Sequence, residues 1–199
     1  MNSEDPFRLA LLAVFAPTMS VAVYHRWQAR SGERLSRREE GIALAIVLRL
    51  TGLCLWVAIF AYLINPAWMN WASLPLPEWL RWPGLAVGVS CWFLMYWTLS
   101  NLGKNLTDTV VRRSNATLVT TGPYRWVRHP FYTTVGLLLL AATLLTANWL
   151  IGLLSVLVLA LLVRRTDKEE QKLVEGFDDY RQFMATTGRF LPRLAGRRG

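Results

Sequence analysis

Two short polar stretches in this chain carry the residue types that do chemistry. One runs from Leu118-Val119 through Gly122-Pro123-Tyr124 to Arg128-His129-Pro130-Phe131-Tyr132, and the other is Arg164-Arg165-Thr166-Asp167-Lys168-Glu169-Glu170. A guanidinium can orient a carboxylate through paired N–H donors. Paired carboxylates can accept charge-assisted hydrogen bonds from an ammonium. An imidazole beside them can donate, accept or carry a proton near neutral pH. If the two stretches met, they could hold a ligand bearing both charges. The two histidines and two scattered cysteines make no zinc-type ligand set. Each residue also has a plainer reading: Arg128 and Arg165 as flank charges that snorkel, Glu169 and Glu170 as solvated helix residues paired with Lys168 or Lys172, and His129 as an interfacial polar group.

The elements that position these residues follow from composition. The chain has 199 residues, 53% hydrophobic and 18% charged, with ten tryptophans. Those proportions exclude a disordered, collagenous or disulfide-dense chain and point to an integral membrane protein. Apolar stretches long enough to cross a bilayer are predicted at residues 7–24, 42–64 and 82–99. The last apolar block, 130–163, has 34 residues. As one helix it would extend about 50 Å, against a hydrocarbon core of about 30 Å. The polar tetrad Thr146-Ala147-Asn148-Trp149 divides it, so two short helices, 131–146 and 149–163, are expected to form a hairpin. A hairpin returns both ends to one membrane face and brings Arg128-His129 beside Arg165, Glu169 and Glu170. Pro130 suits the first helical turn, where its missing N–H costs nothing, and a helix mouth there can hold an anion. Beyond the hairpin, Leu173, Val174, Phe177 and Tyr180 recur at helical spacing and predict an amphipathic helix against that mouth.

The expected fold is therefore all-α: an integral membrane bundle of about five transmembrane helices with a C-terminal cytoplasmic amphipathic helix. It reads as a single membrane domain, 1–199, with three spans in 1–100 and the chemistry in 101–199 (loop 101–129, hairpin 130–163, tail 164–199). Nineteen of 22 lysines and arginines fall in 25–40, 101–129 and the tail from 164. Those three segments share one side of a five-span chain, which places the N-terminus outside and the C-terminus in the cytoplasm. The same rule absorbs the +9 charge without a nucleic-acid partner. Trp68, Trp71, Trp79 and Trp82 fit an aromatic belt at the outer interface. The acidic start is unlike a cleavable signal. Gly84 and Gly88 read as a close-packing motif, and Cys54 and Cys91 as packing residues.

Arg128-His129-Pro130-Phe131-Tyr132, a hydrophobic hairpin and then Glu169-Glu170 resemble the isoprenylcysteine carboxyl methyltransferase family, whose broader relatives include membrane phospholipid methyltransferases. Leu118-Val119, Gly122, Tyr124, Tyr180 and Gly188-Arg189-Phe190-Leu191-Pro192 fit the same pattern, so the resemblance covers the second half of the chain. It implies a methyltransferase using S-adenosyl-L-methionine at the cytoplasmic face. On that pattern Leu118, Val119 and Tyr124 line the adenosine pocket. His129, Pro130 and Tyr132 hold the cofactor near the helix mouth, and Glu169 and Glu170 hold its polar end. Arg165 and Arg128 face the acceptor, with Arg128 and His129 nearest the reaction. The expected acceptor is a lipophilic small molecule or lipid delivered by the bilayer, in the inner or plasma membrane of a prokaryote. Leu106 departs from the pattern, since relatives often carry tryptophan there, and that bears on the acceptor. A nicotinamide-dependent membrane reductase and a non-catalytic membrane scaffold remain as alternatives, and the sequence gives no oligomeric state.

Overall fold

The computed structural model describes residues 3–29, 42–103 and 117–193. Leu106 and parts of all three basic segments lie outside them. Five long helices run back and forth: α1 (Asp5–Gln28), α2 (Ile42–Ile64), α4 (Pro83–Leu102), α5 (Pro130–Thr146) and α6 (Trp149–Gly176). Two short helices, α3 (Glu78–Arg81) and α7 (Tyr180–Thr186), sit at opposite ends. No strand occurs among the described residues, only isolated bridges at Ser73 with Asn148 and Val127 with Gly188. α1, α2, α3–α4 and α6 are long and apolar enough to cross a membrane, while α5 is shorter at 17 residues. At 1.5 Å per residue it reaches about 25 Å, so the bilayer must thin around it or its ends must lie below the interfaces.

Helix α4 lies at the centre, packed on α5 and α1, while α2 leans mainly on α6. The glycine pair does what its spacing predicts. A Cβ on Gly84 would lie 3.0 Å from the Ala141 carbonyl oxygen of α5, and one on Gly88 would lie 2.4 Å from a Val14 methyl of α1. Missing side chains let three backbones approach closely. Around this contact Leu11, Val14, Ile59, Leu145 and Ile151 form the apolar core. Leu50, Leu53, Val57 and Phe60 of α2 remain exposed, as befits a face turned to lipid.

The hairpin breaks where the polar tetrad predicts. Ala147 takes a left-handed backbone conformation (φ 44°), and Asn148 caps α6 by accepting from the Leu150 and Ile151 N–H groups. Its amide also donates to the Met69 carbonyl, which ties the hairpin tip to the turn at Pro66–Ala72.

Two expectations are revised. The fifth helix does not stop at 163; it continues to Gly176 as one rod. Residues 164–175 hold no glycine or proline and consist largely of good helix formers, so crossing from apolar to charged sequence changes the surroundings and not the backbone. The amphipathic run is also divided. Leu173 and Val174 finish α6, Phe177 is its C-cap, and Tyr180 opens α7, the short helix that turns back over the bundle's end.

Candidate active site

The N-terminus of α5 and the polar extension of α6 converge on one cluster of charges. Pro130 is the first residue of α5 and His129 its N-cap. Arg128 Nε donates to Glu170 Oε1 at 2.8 Å, and His129 Nε2 approaches the same oxygen at 3.2 Å. Arg189 Nη2 lies 3.5 Å from Glu170 Oε2. Glu169, one residue earlier, accepts at Oε1 from the Tyr132 hydroxyl at 2.6 Å and from Arg165 Nε at 2.9 Å. Its Oε2 faces His129 Nδ1 at 3.7 Å. Residues some 40 positions apart thus share one site because the hairpin returns on itself.

The two carboxylates differ in what they have left to offer. Glu170 is buried and gripped from three sides. It lies beyond the apolar stretch of α6; burial opposes its charge, yet bonds from His129 and Arg128 outweigh that and hold its pKa at about 2. Glu169 keeps one oxygen with only a long contact. His129 faces a carboxylate with each ring nitrogen, and a neutral imidazole can donate to only one of them. Its ring stacks on Tyr132 at 5.7 Å, which fixes its plane.

Arg128 also binds the tail. Its Nη1 donates to the Met184 and Thr187 carbonyls. The segment after α7 then pairs with the strand-like residues before α5: Gly188 N–H donates to Trp126, Arg128 N–H to Gly188, and His129 N–H to Arg189. Thr133 Oγ1 donates to the Phe190 carbonyl. A Cβ at Gly188 would overlap the Leu191 carbonyl oxygen, so this turn requires glycine. Tyr124, buried on the turn at Gly122–Arg125, lies near enough to Glu169 for that charge, added to burial, to raise its hydroxyl pKa. Gly122 there has φ +58° and packs on Asn101 at the end of α4. Leu118 and Val119 are half-buried in the extended stretch before that turn and enter no hydrogen bond or ion pair with the cluster among the described residues.

Two residues had no role assigned from sequence. Tyr180 is fully buried, and the charges of Glu170, Arg128, Glu169 and Arg189 all reach its hydroxyl, which has no hydrogen-bond partner among the described residues. Arg189 pairs with Asp167 at 2.5 Å while its Nε stays buried and unpartnered. Both belonged to the terminal pattern, and Tyr180 also to the run at helical spacing, but their placement depends on the tail folding back.

Residues 84–175 match the profile of the isoprenylcysteine carboxyl methyltransferase family. The matched segment takes in just under half of the chain. It spans α4 to the end of α6, so it includes Arg128, His129, Tyr132, Arg165, Glu169 and Glu170 and stops short of Tyr180 and Arg189. The chain is 31% identical over 96 residues to the uncharacterized protein YpbQ of Bacillus subtilis (strain 168), covering 46% of this chain and 57% of that one. The match thus takes in little more than half of that relative. In three dimensions the chain is similar to the eukaryotic intramembrane Ras methyltransferase isoprenylcysteine carboxyl methyltransferase, solved without a monobody. The TM-score is 0.59 at 23% identity, over 95% of this chain and 70% of that one. At that identity the likeness is one of fold, and it extends beyond the family segment to the first two helices.

Proposed function

We propose that this chain is a multi-pass membrane methyltransferase that uses S-adenosyl-L-methionine and methylates a lipophilic acceptor arriving from the bilayer. The observation that carries this reading is the meeting of Arg128 and His129 with Glu170 at 2.8 and 3.2 Å, with Glu169 3.7 Å from His129, inside the segment that matches the isoprenylcysteine carboxyl methyltransferase family. The residues present suit the ligand. Glu169 Oε2 is the carboxylate oxygen best able to accept from an ammonium. Tyr132 and Arg165 hold Glu169 in place, and the buried Tyr124, with Leu118 and Val119, offers an apolar surface for the adenosine. When bound, S-adenosyl-L-methionine supplies a methyl group on a sulfonium, ready for in-line displacement. The protein's part is to hold two reactants in line and keep water out.

Arg165 is the residue we assign to the acceptor, where its guanidinium would orient a carboxylate that is already ionised. Arg128 would reach the acceptor only by loosening its hold on Glu170 and the tail. His129 is the nearest proton acceptor for an amine or thiol. On this reading the site end of the bundle faces the cytoplasm, in keeping with the positive-inside rule, and the membrane is the inner or plasma membrane of a prokaryote.

The test is titration of detergent-purified protein with S-adenosyl-L-methionine and S-adenosylhomocysteine, followed by transfer of a labelled methyl group into a lipid extract. Saturable binding and a labelled lipid are expected. A shift in melting temperature with NADPH in place of S-adenosylhomocysteine would reject the reading in favour of a reductase. No response to either ligand would leave a scaffold.

A further inference from the structure

The charge cluster contains two buried donors that the protein itself leaves unbonded. Native structures pair nearly all their buried polar groups, so a fully buried tyrosine hydroxyl without a partner, surrounded by charges, needs an explanation. The tail is not loosely placed around it. Arg128 fastens the carbonyls of Met184 and Thr187, and backbone bonds join Gly188 and Arg189 to residues 126–129. Tyr180 is therefore held in its position with its hydroxyl unsatisfied. The nearby Arg189 pairs through Nη2 with Asp167 and Glu170, and its Nε remains buried and unpartnered.

We propose that Tyr180 Oη and Arg189 Nε form a carboxylate subsite that receives the amino-acid end of the methyl donor. The inference rests on the methyltransferase reading and extends it to residues outside the family segment.

Three features favour this assignment over the arginine next to His129. Arg128 is already committed to Glu170 and two tail carbonyls. Burial and the neighbouring carboxylates raise the Tyr180 pKa, so the hydroxyl stays protonated and acts as a donor. Arg189 meets Asp167 and Glu170 through Nη2 alone, so its buried Nε is a donor still to be used by an incoming carboxylate. The ligand's ammonium then lies toward Glu169 Oε2 and its carboxylate toward Tyr180, with Glu170 serving as the pivot that holds Arg128, His129 and Arg189.

The experiment compares wild type with Tyr180→Phe in detergent. Calorimetric titrations use S-adenosylhomocysteine and 5′-methylthioadenosine, a thioether nucleoside that lacks the amino-acid end. Melting temperatures without ligand are measured in parallel. Because the hydroxyl bonds to nothing in the protein, Tyr180→Phe should melt at or above the wild-type temperature. Its affinity for S-adenosylhomocysteine should fall about fivefold, the size of one hydrogen bond, while its affinity for 5′-methylthioadenosine stays unchanged. Equal S-adenosylhomocysteine affinity in both proteins overturns the subsite and leaves the methyltransferase reading standing. Equal losses for both ligands, or a lower melting temperature, mark Tyr180 as packing only and also overturn it. Failure of the wild type to bind S-adenosylhomocysteine overturns both readings.

Discussion

The two ends of the bundle each carry a buried arginine bonded to a glutamate, yet they are built differently. At the end away from the candidate site, Arg81 grips both oxygens of Glu4 at 2.9 and 2.6 Å and donates to the Leu145 carbonyl at 2.7 Å. The Tyr62 hydroxyl donates to Glu4 at 2.6 Å, and the Arg81 guanidinium lies over the Phe7 ring. Arg8 caps the end of α2 by donating to the Leu63 and Ile64 carbonyls. One positive charge meets one negative, every hydroxyl and guanidinium in that group finds a protein partner, and the start of α1 is fastened to the ends of α2 and α5. The other cluster has three arginines and a histidine around Glu169, Glu170 and Asp167, and among the described residues it leaves Tyr180 Oη and Arg189 Nε unsatisfied. A closed network stabilises a fold, whereas a network with unused donors is arranged for something that arrives later. The small cavity beside Arg81, about 60 Å³ and also lined by Asn70 and Asn148, does not alter this contrast, because Tyr62 and Arg81 already bond Glu4 and Asn148 already bonds the Met69 carbonyl.

Substitutions at the two ends should therefore separate stability from binding. Arg81→Ala should have the largest effect, a loss of about 3 kcal/mol of stability, because it strands Glu4 and a buried carbonyl. Melting in detergent reads this, and the protein that remains folded should bind S-adenosylhomocysteine as wild type does. Lost binding with unchanged melting would break the comparison. Glu169→Gln should do the reverse: binding weakened by about 2 kcal/mol, the scale of a charge-assisted bond, with little change in melting. Asn148→Ala removes a helix cap at the far end and should cost about 1 kcal/mol of stability with affinity intact. The smallest and most diagnostic effect is in pH. Glu170 is held at about 2 against an ordinary 4.5, and Glu4 is also lowered, chiefly by its bond from Arg81 against the pull of burial. A carboxylate with a depressed folded pKa contributes stability that is complete above its unfolded value and is lost as pH falls through the folded one. Melting temperature should fall on acidification from about 4.5 toward 2. Glu170→Gln and Glu4→Gln should each flatten part of that fall, and a slope unchanged in both variants would show that neither cluster carries it.

The candidate site was readable to the extent that it depended on helix topology. Spacing, the polar break at Thr146-Ala147-Asn148-Trp149 and the length of the apolar block were enough to bring Arg128-His129 to Glu169-Glu170. The end of α6 was misjudged because hydropathy marks where a membrane stops and says nothing about where helical hydrogen bonding stops. Tyr180 was read only as part of an amphipathic helix and Arg189 received no site role, because the backbone pairing of 126–129 with 188–189 has no periodicity to read. The Glu4–Arg81 pair was invisible for a related reason: its partners lie 77 residues apart, one of them in the charged start of the chain.

Sequence alone determined the five long helices and their alternation, because apolar length and turn residues act locally. Tertiary structure decided which charges are used up and which are left free. That depends on the distances between side chains carried by separate helices: the nearest partners of the two Glu169 oxygens lie at 2.6 and 3.7 Å, and that gap separates a bonded group from one still available to a ligand.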